Sequence, residues 1–196
     1  MLEELINTYE ELKKYVYIID RGKNGLLIIK FDNKNFYHLV GLHKTNIAMF
    51  IPSYIKTQDK KYKYIKKYIT KFNNILENQI KEKDLLILRI NTFTRIKELL
   101  NNSANTMLHN LRDRKVEGSL YNGDYGLVKV FEDNISCLLG LKQENENNNI
   151  VNCVPQSWMA SERINRIIEY KRPIYMKSIV AYPANLYNQD RYLIAI

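Results

Sequence analysis

The hydrophobic period changes along this chain, and that change decides which class of fold is open to it. Up to about residue 100 most apolar residues recur at helical spacing, whereas beyond residue 126 they form short β-type stretches. Leu2, Leu5, Ile6, Tyr9 and Leu12 make one stripe, with Glu3, Glu4, Glu10 and Glu11 between them, which predicts an opening amphipathic helix. Tyr15-Val16-Tyr17-Ile18-Ile19 and Leu26-Leu27-Ile28-Ile29-Lys30-Phe31 flank a turn cluster. Its Asn24-Gly25 pair predicts a hairpin, because both residues tolerate positive φ.

From residue 54 to about 83 the stripe Ile65, Tyr68, Ile69, Phe72, Ile75, Leu76 and Ile80 predicts helix. Leu86, Ile90, Phe93, Ile96 and Leu100 suit another helix. Leu85-Leu86-Ile87-Leu88 alone also reads as a buried strand, and helix is preferred. Residues 101–114 are polar and Asn-rich and read as a loop. Three strands follow, at 126–131, 135–141 and 150–154, with an acidic tip over 143–149 and Pro155 expected to end the third. A short helix at 161–170 and strands at 174–181 and 191–196 complete the reading. The expectation is one α+β domain over residues 1–196. It has an N-terminal helix and hairpin, central helices as an insertion around 54–100, a polar loop around 101–114 and a C-terminal antiparallel β-meander.

Charge enters where partners are considered. Thirty Lys and Arg against 21 Asp and Glu give a net charge of +9, which favours an anionic partner such as nucleic acid. The same excess of Lys, Asn, Ile and Tyr also arises from AT-rich coding DNA. Lys63 and Lys67, within the lysine-rich helix, are read either as nucleic-acid contacts or as a solvated face. No apolar run reaches the roughly 18–20 residues of a membrane span, and the first residues carry no signal-type apolar stretch. Cys137 and Cys153 are expected as reduced, buried thiols. No ligand spacing suggests a metal site, and no cofactor motif is present.

Two of the three histidines, His38 and His43, fall in one short segment after the hairpin. A histidine there has the right pKa range for proton transfer to or from a ribose 2′-OH, and it also suits local packing. His43 and Lys44 are read as phosphate contacts, as a second acid–base group, or as plain loop. Arg89 and Arg95 are natural clamps for a phosphate or oxyanion, or surface arginines. Ser157 reads as a phosphate donor or a cap. Trp158, the only tryptophan, reads as a base-stacking platform or a core residue.

The order of a tyrosine-rich strand, a turn, an apolar strand ending Phe31-Asp32, and then Asn35-Phe36-Tyr37-His38-Leu39-Val40-Gly41 resembles a known group. It is similar to the phage-associated nucleases of the barnase–EndoU–colicin E5/D–RelE class, in their fourth subgroup. A middle helical arginine, matched here to Arg95, and a late Pro155-Gln156-Ser157 element extend the resemblance. Val40 stands where that group often has a small hydroxylated residue. The resemblance implies a helical front on an antiparallel sheet, with a metal-independent ribonuclease site on the sheet. His38, Arg95 and Ser157 would be catalytic, and His43, Lys44, Lys63, Lys67 and Trp158 would contact nucleic acid.

The expected partner is RNA, either tRNA or another single-stranded RNA, or a ribonucleoprotein, with a protein inhibitor as a further partner. No cofactor is expected, and the expected location is the cytoplasm of a bacterial host. The alternative is a non-catalytic anti-defence protein, for example an inhibitor of an RNA-guided CRISPR nuclease. It would bind RNA or a ribonucleoprotein through the basic helix around 56–83.

Overall fold

The computed structural model describes residues 1–80, 84–101, 105–111, 123–161 and 173–187. Helix α1 (Leu2–Lys13) buries Leu2, Leu5, Ile6, Tyr9 and Leu12, the stripe read from the sequence. Strands β1 (Tyr15–Asp20) and β2 (Leu26–Lys30) form the hairpin, closed by a 3₁₀ turn at Gly22–Asn24 and by Gly25 at φ 80°. Every residue from Leu26 to Ile29 is buried, which is the pattern of a strand covered on both faces.

Helix α2 (Asn33–Leu39) follows at once. Asn35 Oδ1 accepts from the Asp32 backbone N–H at 3.2 Å, which satisfies one of the free donors at the helix start. The expected helix at 54–83 is two helices, α3 (Gln58–Lys67) and α4 (Ile69–Ile80), broken at Tyr68 (φ −113°, ψ 40°). The break leaves Tyr68 exposed, where a continuous stripe would bury it. The ambiguous stretch after it is helical, as α5 (Asp84–Asn91), a 3₁₀ turn at Phe93–Arg95, and α6 (Ile96–Asn101).

Residues 106–110, expected inside a polar loop, instead form strand β3 (Thr106–Asn110), which pairs with β4 (Tyr125–Val130). The meander is present as β4, β5 (Ser136–Asn147) and β6 (Ile150–Ser161), with two differences from the sequence reading. The acidic tip is strand: β5 runs to Asn147, and Asn148-Asn149, at φ 49° and 63°, make a two-residue hairpin turn. Pro155 does not end β6. It sits at a register shift opposite Leu141, beyond the last pairing of β6 with β2 at Cys153, so its missing N–H breaks no ladder on that side.

Strand β7 (Ser178–Pro183) pairs with β1, and Ile174 makes an isolated bridge to Leu108. The expected strand at 191–196, and the helix at 161–170 apart from Ser161 (the last residue of β6), lie outside the described residues.

The sheet order is β3-β4-β5-β6-β2-β1-β7. All pairings are antiparallel except β2 with β6, which joins the N-terminal hairpin to the meander in one mixed sheet. One face carries Tyr17, Ile19, Leu27, Ile29, Val151, Cys153 and Trp158 against the helices, and forms the main core. The other face carries Val16, Ile18, Leu26, Ile28 and Ile150. Among the described residues no helix is long and apolar enough to cross a membrane.

Candidate functional site

His38 stands on a helix and not on the sheet. Helix α2 is fixed from below by aromatic packing: Phe36 is fully buried against Tyr9 and Tyr62, with ring centroids 5.1 and 4.9 Å away. Helical spacing then turns His38 outward, between the buried Tyr37 and Leu39. The helix ends at Gly41, whose φ of 85° is the left-handed conformation glycine adopts without steric cost. The chain then enters a 3₁₀ turn at Leu42–Lys44, and this brings His43 back over His38 with ring centroids 4.8 Å apart.

Arg89 on α5 closes the same corner. Its guanidinium donates to the Leu39 carbonyl from Nε at 3.1 Å and from Nη2 at 2.5 Å, and from Nη2 to the His38 carbonyl at 2.8 Å. The Leu39 carbonyl is one that the helix C-terminus leaves without a backbone donor, and the His38 carbonyl also accepts from the Gly41 N–H at 3.1 Å, so a buried cation there meets the negative end of the helix dipole. A Cβ on Gly41 would lie 3.1 Å from Arg89 Nε. The glycine is thus required twice, for its φ and for the approach of the arginine. Burial pulls the Arg89 pKa down to about 10. Among the described residues no carboxylate pairs with it.

The two imidazoles therefore sit in a field of cations. Burial, and then the charges of Lys61 and Arg89, lower the His38 pKa below its ordinary value. Burial, His38, Arg89 and Lys44 together take His43 down to about 4, against a raising contribution from its hydrogen bond to the Tyr37 backbone. Burial and Arg89 also lower Lys44. Among the described residues no carboxylate is one of the groups acting on either ring. Gln58 Nε2 lies 3.3 Å from His38 Nε2, while Gln58 Oε1 is buried without a partner. End-over-end rotation of that amide exchanges donor for acceptor, so Gln58 suits the ring with or without a proton on Nε2. Among the described residues no group of three or more His, Cys, Asp or Glu is placed to hold a metal ion.

Arg95, Ser157 and Trp158 make no contact with the two imidazoles among the described residues. Arg95 makes a bidentate pair with Asp133, at 2.9 and 2.5 Å, and stacks over Phe131 at 5.0 Å. It pins the 3₁₀ turn to the β4–β5 hairpin, and its pKa is raised by that pairing. Ser157 pairs with Gly140 across β5 and β6, next to Trp158. Strand alternation puts it on the sheet face opposite Trp158, away from α2. No hydrogen bond, ion pair or ring contact joins Arg95 or Ser157 to His38 among the described residues.

Trp158 is fully buried, packs on Phe93 and donates to Thr92 Oγ1 at 3.2 Å, so it presents no ring face to a base. Lys63 is exposed on α3 and pairs with Asp59 at 2.8 Å, while Lys67 lies over the Tyr68 ring. His43 and Lys44 are exposed beside His38. The arginine at the histidines is thus Arg89. The sequence named Arg89 beside Arg95 as a candidate clamp, and gave no signal for Gln58. An arginine inside the apolar stripe of Leu86 and Ile90 was the one available signal for Arg89.

A family model described as phage-Barnase-EndoU-ColicinE5/D-RelE like nuclease4 matches residues 2–182. No curated protein and no solved structure matches the chain.

Proposed function

The chain belongs to the phage-Barnase-EndoU-ColicinE5/D-RelE like nuclease4 family, and from that premise we propose that it cleaves RNA by attack of a ribose 2′-OH on the adjacent phosphate, with His38 and His43 as the acid–base pair. One observation carries this reading: two neighbouring imidazoles within reach of Arg89, Lys44 and Lys61, with no carboxylate among the described residues acting on either ring. RNA brings its own nucleophile, so the protein has to supply a base, an acid and positive charge for the phosphorane oxygens.

His43, held firmly neutral, suits the base. Its N–H is engaged by the Tyr37 carbonyl, which leaves the other ring nitrogen with a lone pair to take the 2′-OH proton. His38 suits the acid. A phosphate bound among the cations raises its proton affinity, and Gln58 can hold the charged ring. Lys44 meets the phosphate directly. Arg89, whose Nε and Nη2 donors are engaged by carbonyls, acts through its charge and by fixing the end of α2. Arg95 and Ser157 have no part in this arrangement.

The test is cleavage of total RNA by purified protein with EDTA present. Wild type cuts, and His38→Ala retains its fold while losing activity by about 100-fold or more. Intact RNA after incubation with wild type refutes the reading. The five lysines of α3, against one aspartate, favour a second reading in which RNA or a ribonucleoprotein is bound without turnover. Salt-sensitive binding with no product would decide for it.

A further inference from the structure

Residues 45–57 leave the histidine pair and return to it. They follow His43 and Lys44 and lead directly into Gln58, whose amide contacts His38. A compact loop whose two ends meet at a site is a common carrier of function. This one is not slack. Thr45 caps a 3₁₀ turn by accepting from the Ile47 N–H, and the Ile55 N–H donates to the Pro52 carbonyl at 2.9 Å. Ile47, Ile51 and Ile55, spaced four apart, are 0%, 7% and 9% exposed and join the main core. With those three anchored inward, the segment holds Met49, Phe50 and Tyr54 outward, at 81%, 44% and 76% exposure.

Single exposed apolar side chains need no explanation, but three on one anchored loop whose ends meet at a candidate active site do. Charge indicates what they meet. Between Asp32 and Asp59 the sequence has no acidic residue, while Lys44 and Lys56 fall within that interval, as does Lys34, which pairs with Asp32 and Glu144. A polyanion with flat apolar faces matches such a surface. Unpaired nucleotides offer both, and a base paired in a duplex withholds its faces.

We infer that Phe50 and Tyr54 are the base-stacking platform of the site, receiving unpaired nucleotides beside the phosphate held at His38, His43 and Lys44. The inference rests on the proposed function for its choice of RNA. It assigns single-strand selectivity to residues 45–57, and not to Trp158 or to the lysines of α3.

The test reads binding apart from cleavage. The probe is a fluorescein-labelled 12-nucleotide strand with 2′-O-methyl riboses, which lack the nucleophile, offered alone or annealed to its complement. Wild type binds the single strand at least about 10-fold more tightly than the duplex. The variant Phe50→Leu/Tyr54→Leu keeps apolar volume but removes the ring faces. It loses roughly 5- to 150-fold in single-strand affinity for each base that stacked, with duplex affinity unchanged. Phe50→Tyr/Tyr54→Phe restores wild-type binding.

Equal affinities of wild type and the leucine variant for the single strand overturn the inference, even if RNA is cut. A surface that meets protein instead gives that same result, since its apolar volume is kept. If wild type binds through Phe50 and Tyr54 yet leaves ordinary RNA intact, the platform stands and the catalytic reading falls.

Discussion

Replacing Arg89 by methionine separates the structural from the electrostatic work of this residue. Its guanidinium makes three hydrogen bonds to two carbonyls at the end of α2, and the side chain is almost fully buried. Leaving the Leu39 carbonyl unmet costs about 1–3 kcal/mol, while the His38 carbonyl keeps the Gly41 N–H at 3.1 Å. Against this, the variant no longer buries a charge. The lowering of the Arg89 pKa from its ordinary value to about 10 corresponds to a cost of about 3 kcal/mol in the wild type, by the ~1.4 kcal/mol carried by each pKa unit. The two nearly offset, so Arg89→Met is expected to change the stability of the fold by no more than about 2 kcal/mol in either direction, read by urea denaturation.

The histidines respond more clearly. Arg89 is one of the charges that lower both rings. Its removal raises both titration midpoints toward the ordinary value near 6.5, followed by NMR of the imidazole carbon-bound protons. The linkage has a definite sign. In the wild type the folded state takes up fewer protons than the unfolded state between about 4 and about 6.5, because the His43 pKa is depressed. Stability contributed by His43 is therefore present above about pH 6.5 and is lost as pH falls toward 4. The exposure of the ring keeps the effect small. In Arg89→Met that acid loss shrinks. Unchanged histidine midpoints in a folded variant would refute the electrostatic argument.

Other outcomes follow from the same structure. Gly41→Ala places a Cβ at positive φ and against Arg89, so a loss of about 1–3 kcal/mol in denaturant melts is expected, along with weaker RNA cleavage. For Glu10, burial pushes the pKa up, but hydrogen bonds from Tyr62, Lys13 and Lys66 outweigh it and hold the pKa at about 2. The clamp it makes between α1 and α3 is complete above about pH 4.5 and is lost as pH falls toward 2. After allowance for its part exposure, Glu10→Gln is expected to cost roughly 1–2 kcal/mol at pH 7, and a smaller difference at pH 2.5 checks the sign. Trp158→Phe leaves a cavity and strips Thr92 of its donor. It should lower stability by about 1–3 kcal/mol without altering oligonucleotide affinity, since the indole is buried.

The outline of the fold was legible where local chemistry and tertiary demand agreed. The stripe of α1, the hairpin and the apolar strands of the meander each carried a period or a turn signal that packing then used, although the positive φ angles of the hairpin loop fall on Gly22 and Gly25 and not on Asn24. What escaped were strands without an alternating face. Over residues 142–147 most of β5 is exposed on both sides, and β3 lies in an Asn-rich run, so neither showed period two.

Reading Pro155 as a terminator had a further consequence. It hid the continuation of β6, and with it the parity that sends Trp158 into the core and Ser157 to the other face. The histidine segment stood out because of its residue types. Its arginine did not, because Arg89 and Arg95 share one apolar stretch. Only the packing of α5 against the end of α2 gives Arg89 to the site and leaves Arg95 to Asp133.

The central claim, 2′-OH attack managed by the paired histidines, is tested most directly with a DNA oligonucleotide that carries one ribonucleotide. The chain is incubated with it in EDTA, and the product ends are weighed by mass spectrometry. The account predicts a single cut on the 3′ side of the ribose, a 2′,3′-cyclic phosphate on the upstream fragment, and loss of that product in His38→Ala and in His43→Ala. Cleavage at deoxyribose positions, a 5′-phosphate on the downstream fragment, or full activity in both histidine variants would contradict it.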